Sequence, residues 1–74
     1  MTPGVAVILV FSTSYALKVE KTLKGAGIAC KLIPVPRHLS SDCGVCVRIE
    51  QAYRLVAEAL LVSARVETEG IYDL

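Results

Sequence analysis

Residues 5–11 read Val5-Ala6-Val7-Ile8-Leu9-Val10-Phe11, an unbroken apolar run rich in β-branched side chains. A strand of this kind has to be covered on both faces, so it belongs in the middle of a sheet. It is also far shorter than the roughly 20 apolar residues that span a bilayer as a helix. The rest of the chain must therefore supply neighbouring strands on either side of it and helices to cover it, all within 74 residues.

The segments that follow supply them. Ser12, Thr13 and Ser14 are N-cap candidates for a helix running to about Lys24, stopped by Gly25-Ala26-Gly27. Ala16, Val19, Leu23 and Ala26 recur at helical spacing as its buried side, while Lys18, Glu20, Lys21 and Lys24 face water. Residues 28–35 form a second strand that ends at Pro34 and Pro36. Proline cannot donate to a ladder, which puts this strand at a sheet edge. After a polar loop over 37–42 the chain alternates: Val45, Val47 and Ile49 on one side, Cys46, Arg48 and Glu50 on the other. Residues 51–63 then repeat apolar residues at 52, 55, 56, 59 and 60 as the core face of a second helix. Arg54 and Glu58 are placed to pair on its outside, and Leu61 and Val62 lie off the main stripe. Residues 66–74 close as a strand interrupted by Gly70.

The order is βαββαβ. Two βαβ halves with right-handed crossovers give an α+β, ferredoxin-like sandwich: a four-stranded antiparallel sheet, spatial order 4-1-3-2, with two helices on one face. The whole chain, 1–74, then forms one domain, near the lower size at which a hydrophobic core sustains itself. A swapped or intertwined dimer of the same elements satisfies the same pattern.

Composition narrows the function. Hydrophobic residues make up 54%, charged residues 20%, and the formal net charge is +1. Lysines and arginines alternate with acids instead of clustering, which argues against nucleic acid as a partner. No basic start followed by an apolar h-region is present, and three cysteines are an odd number. Both point to reduced thiols in the cytoplasm, without a membrane.

Those thiols are the chain's chemical equipment. Cys43-Gly44-Val45-Cys46 follows the Ser40-Ser41-Asp42 loop and opens the alternating strand. In a ferredoxin-like topology the Cys43 loop approaches the start of the first helix at Ser12, Thr13 and Ser14. A helix N-terminus favours a nearby anion, so the expectation is an exposed loop-tip thiol at Cys43 that ionises readily, with Arg37 and Arg48 flanking it. Cys30 begins the second strand, on the order of 15 Å away, and reads as a small buried hydrophobe. CxxC motifs of redox proteins open helices. Here the motif opens a strand, where residues three apart are roughly 10 Å apart, so a Cys43–Cys46 disulfide needs a sharp turn at Gly44. The same two thiols are half of a zinc or copper site, with His38 the only histidine in reach and no second half unless a dimer supplies it. The serines lack a base to activate them and are better read as caps and turns.

Several of these pieces occur together in a known family. Phe11-Ser12-Thr13 with Ala16-Leu17 and Glu20, then Leu32-Ile33-Pro34-Val35-Pro36-Arg37, then Ser40-Ser41-Asp42-Cys43-Gly44, and the ending Gly70-Ile71-Tyr72 closely resemble a family of short prokaryotic selenium/sulfur carrier-like proteins. The resemblance runs over nearly the whole chain. It implies a carrier in which Cys43 holds a persulfide or selenosulfide between a donor and an acceptor protein, with no cofactor. Cys46 departs from the family pattern, where a small apolar residue is usual, and stands either as a packing residue or as a resolving thiol. Candidate site residues are then Cys43 and Cys46 for chemistry and Ser12, Thr13, Arg37, Ser41, Gly44 and Arg48 for binding. A non-catalytic ligand-binding or interaction module, forming a homo-oligomer through its open sheet face, is the alternative. A dithiol redox or metal-binding protein is a third reading, and no independent catalytic turnover is indicated.

Overall fold

A computed structural model describes residues 4–39 and 43–74. Ser12 breaks the first apolar run: its extended backbone (φ −158°, ψ 169°) and its hydroxyl, which accepts from the Tyr15 N–H at 3.5 Å, start a helix. Strand β1 (Val5–Leu9) therefore ends before Phe11, whose ring is 43% exposed and meets Tyr15 edge-to-face at 5.8 Å. Helix α1 (Thr13–Gly25) buries Ala16, Val19 and Leu23 as its spacing predicts; Ala26, expected on that face, is instead its exposed C-cap. Gly27 takes the left-handed conformation (φ 82°), and Ile28 N–H donates to Leu23 O at 2.9 Å. Because Ile28 is spent on this cap, strand β2 begins only at residue 30 (Cys30–Pro34).

Strand β3 (Val45–Glu50) leads through a single 3₁₀ turn (Gln51–Tyr53) into helix α2 (Arg54–Ser63). This helix buries Ala57 and Leu61; of the predicted 52, 55, 56, 59 and 60 stripe Leu60 packs partly buried against the core while 52, 55, 56 and 59 are exposed, and Leu61 is at its core, 3% exposed. Its sequence is apolar almost all round, so periodicity alone selects no single face. Arg54 does not pair with Glu58; it reaches Asp73 at 2.8 Å and donates to Ile71 O at 3.1 Å. The last strand is short, β4 (Gly70–Asp73), because Val66 N–H turns back to Leu61 O as a helix cap.

The sheet order is β2-β3-β1-β4, every neighbouring pair antiparallel. This is the expected ferredoxin-like α+β arrangement, with β1 inside and the proline-ended β2 at an edge. The main core lies between sheet and helices and includes Ala6, Ile8, Val19, Leu23, Val47 and Ala57. Ile8 is its largest fully buried side chain, of a kind whose truncation to alanine costs about 2–5 kcal/mol. A second cluster occupies the other sheet face. Val7, Leu9 and Cys46 are covered there by Ile33 and by Val35 and Leu39, which fold over from the connection after β2. The apolar centre of that face is thus buried within the chain, against the expectation that it stays open to pair with another copy. The large exposed apolar side chains on α2 are Leu55, Val56 and Val62, at 78%, 51% and 73%.

Candidate functional site

Register brings the candidate residues together. Leu9 faces Cys46 at the end of the β1–β3 ladder, so the chain leaving β1 toward α1 and the residues entering β3 lie at the same end of the sheet. Ser12 caps α1, and Thr13, its first residue, places Oγ1 3.9 Å from the Cys43 sulfur. The predicted meeting of Cys43 with the start of the first helix is present at this contact. Ser12 accepts from Tyr15 N–H through its hydroxyl and from Ala16 N–H through its carbonyl at 3.1 Å, which leaves the first amides of the helix without intrahelical acceptors.

Cys43 is not an exposed tip. It is 6% exposed and packs into the helix-side core with Ala6, Ile8, Val47 and Ala57. The parity of the strand explains this: Val45, Val47 and Ile49 face the helices, and residue 43 continues their alternation one step earlier. That signal was in the sequence. Gly44 is exposed, has no positive φ, and would leave a Cβ with no neighbour within 4 Å; its carbonyl accepts from Val35 N–H at 3.2 Å. Its place here is not explained by backbone conformation.

The other candidates are dispersed. Cys46 is fully buried on the helix-free face, its thiol donating to Pro34 O at 3.9 Å. Burial pushes the Cys46 thiol up, and the neighbouring Cys43 adds to the shift, so Cys46 is poorly disposed to ionise. Arg48 alternates with Cys46 onto that same face, five residues along from Cys43, about 16 Å at strand rise, and does not flank it. Arg37 is exposed beyond the end of β2. Ser41, with Ser40 and Asp42, lies outside the described residues.

Cys30, buried at the first position of β2, donates to Glu20 O at 3.8 Å; burial raises its pKa, Glu20 raises it further, and Lys24 partly offsets this. All three cysteines are outside disulfides. Among the described residues no group of three or more His, Cys, Asp or Glu side chains is placed to hold a metal ion, and His38 is exposed in its turn. No helix among the described residues is long and apolar enough to cross a membrane.

The candidate site is therefore a single buried thiol against the first residue of a helix. Neither curated proteins nor solved structures furnish a match to this chain. A family model does: over residues 6–73, both helices and all of the sheet but Val5, the chain matches the one described as "Putative Se/S carrier protein-like", and it belongs to that family.

Proposed function

We propose that the chain carries a sulfur or selenium atom on Cys43 and passes it between a donor and an acceptor protein. The observation that carries this reading is the Cys43 sulfur lying 3.9 Å from Thr13 Oγ1 at the start of α1. A terminal persulfide is an anion, and an anion beside a helix N-terminus is stabilised by unpaired N–H groups and the helix dipole. The Thr13 hydroxyl adds a donor at the same point.

Loading is an exchange without net redox change. The Cys43 thiolate attacks the outer sulfur of a cysteine persulfide on the donor; the donor's S–S bond breaks, its thiolate leaves and takes up the proton, and a new S–S bond forms on Cys43. Delivery repeats the step with an acceptor thiolate attacking the outer sulfur. Cys46, buried on the other face, takes no part in either step.

Incubating the reduced protein with a cysteine desulfurase and cysteine tests this. The intact mass should rise by one sulfur atom that dithiothreitol removes, and Cys43→Ser should abolish the gain. A gain that persists in Cys43→Ser, or no gain in the parent protein, overturns the reading.

A second reading, an interaction module that assembles as a homo-oligomer, rests on α2. Leu55 and Val62 are exposed a helical heptad apart, with Ala59 between them. In that case sedimentation shows an oligomer that Val62→Glu dissociates; a monomer at all concentrations rules it out.

A further inference from the structure

Lys31 of β2 and Arg48 of β3 are direct register partners. Their strand neighbours Ile33 and Cys46 pack in the helix-free cluster, so alternation puts both cations on that face, and both are exposed. Like charges directly opposite on adjacent strands repel, so the arrangement works against the stability of the sheet. Among the described residues the ion pairs are Lys24–Glu20 at 3.5 Å and Arg54–Asp73 at 2.8 Å, and neither uses Lys31, Arg37 or Arg48. Arg37 lies between Val35 and Leu39, the two residues that fold onto this face. The row through Arg48 continues across β1 at Val7 to Tyr72, whose side chain is 43% exposed.

We propose that this face is a docking surface for a partner protein, whose carboxylates seat on Lys31 and Arg48 while an apolar group packs on Tyr72. Adjacent cations with an exposed aromatic ring two strands, roughly 10 Å, from Arg48 are complementary to a mixed acidic and apolar protein surface. A nucleic acid fits less well. Glu50 follows on the same face and lines the groove of about 180 Å³ that Lys31 and Arg48 share, so it bounds the positive patch on that side and keeps it short. Three arginines and lysines also fall short of the longer phosphate track that nucleic-acid binding uses. An ordinary protein footprint of about 800 Å² per partner reaches from Arg48 to the Cys43 end of β3. Docking on this face is independent of sulfur transfer, so each can fail without the other.

The test is titration of the ¹⁵N-labelled full chain with an octaglutamate peptide at low ionic strength. Amide shifts should centre on Lys31 and Arg48 and fade as salt rises. Lys31→Glu and Arg48→Glu should each weaken binding about tenfold or more. Lys31→Glu, which turns a repelling register pair into an attracting one, should also melt at a higher temperature than the parent. Shifts that centre instead on Lys18, Lys21 and Lys24 of α1 overturn the proposal, as does binding that survives both reversals. A single-stranded oligonucleotide of equal charge that binds more tightly at the same residues overturns the choice of a protein partner.

Discussion

Cys43 and Cys46 stand on opposite faces of the sheet, one in the core under the helices and the other beneath Val35 and Leu39. Residues three apart in a strand have opposite parity, so the CxxC spacing that suggests a dithiol elsewhere separates these two sulfurs by the sheet itself. Mild oxidation followed by peptide mapping should give no Cys43–Cys46 disulfide. Cys46→Ala should leave sulfur loading unchanged while costing about 1 kcal/mol of stability in denaturant melts. A Cys43–Cys46 crosslink formed without unfolding, or a loading defect in Cys46→Ala, would falsify the separation of roles.

Buried thiols also set an alkaline limit on stability. Burial raises the pKa of Cys46, and of Cys30 together with Glu20. Above the ordinary thiol value of 9.0 the unfolded chain loses these protons while the folded chain retains them. The unfolded state then binds fewer protons, and the unfolding free energy falls with rising pH. The contribution is fully present below pH 9.0 and is lost as pH climbs through the raised values. Urea melts across this range should show the decline, and Cys30→Ala/Cys46→Ala should flatten it. An unchanged slope in the double variant would assign the decline to the tyrosines and lysines.

How far the sequence is legible varies with how strongly each segment constrains its own geometry. The run beginning at Val5 and the prolines ending β2 each allow one position in a sheet, and the strand order follows from them. Helix α2 is different: with apolar residues nearly all round, its contact face is chosen by packing, where the small Ala57 lets it settle on the sheet. For the site, convergence of Cys43 with Ser12 and Thr13 followed from topology. Its burial followed from strand parity, which loop-like residues around Gly44 obscured. The Lys31–Arg48 pairing needs register between two strands, and neither strand's own pattern contains that.

Two helix ends differ in how they reach the left-handed conformation, and the difference is measurable. Gly27 (φ 82°) closes α1 at no steric cost, whereas Arg65 (φ 57°) closes α2 in a region that disfavours residues with a Cβ. A Cβ at Gly27 would meet nothing within 4 Å, so Gly27→Ala isolates the backbone term and should destabilise by about 1 kcal/mol. Arg65→Gly should stabilise by up to about 1 kcal/mol, since both caps carry the same hydrogen bonds, Ile28 N–H to Leu23 O and Val66 N–H to Leu61 O. Loss of stability in Arg65→Gly would mean that the arginine side chain makes a contribution larger than its backbone strain.

Arg54 is the clasp that holds the outer strand. β4 is four residues long and has only β1 as a neighbour, so its ladder alone is a weak hold. Arg54, at the first turn of α2, ties it down through Asp73 at 2.8 Å and the Ile71 carbonyl at 3.1 Å. The ion pair is partly exposed and screened by solvent, worth at most about 1 kcal/mol, and the carbonyl bond adds a similar amount. Arg54→Ala should therefore destabilise by about 1–2 kcal/mol. Arg54→Lys should recover only part of the loss, because an ammonium cannot fork between carboxylate and carbonyl as a guanidinium does. Hydrogen exchange locates the effect: amides of Gly70–Asp73 should lose protection in Arg54→Ala while those of Val45–Glu50 keep theirs. Uniform loss across both strands would show that β4 opens only with the whole fold, and that Arg54 stabilises the molecule globally instead of clasping one edge.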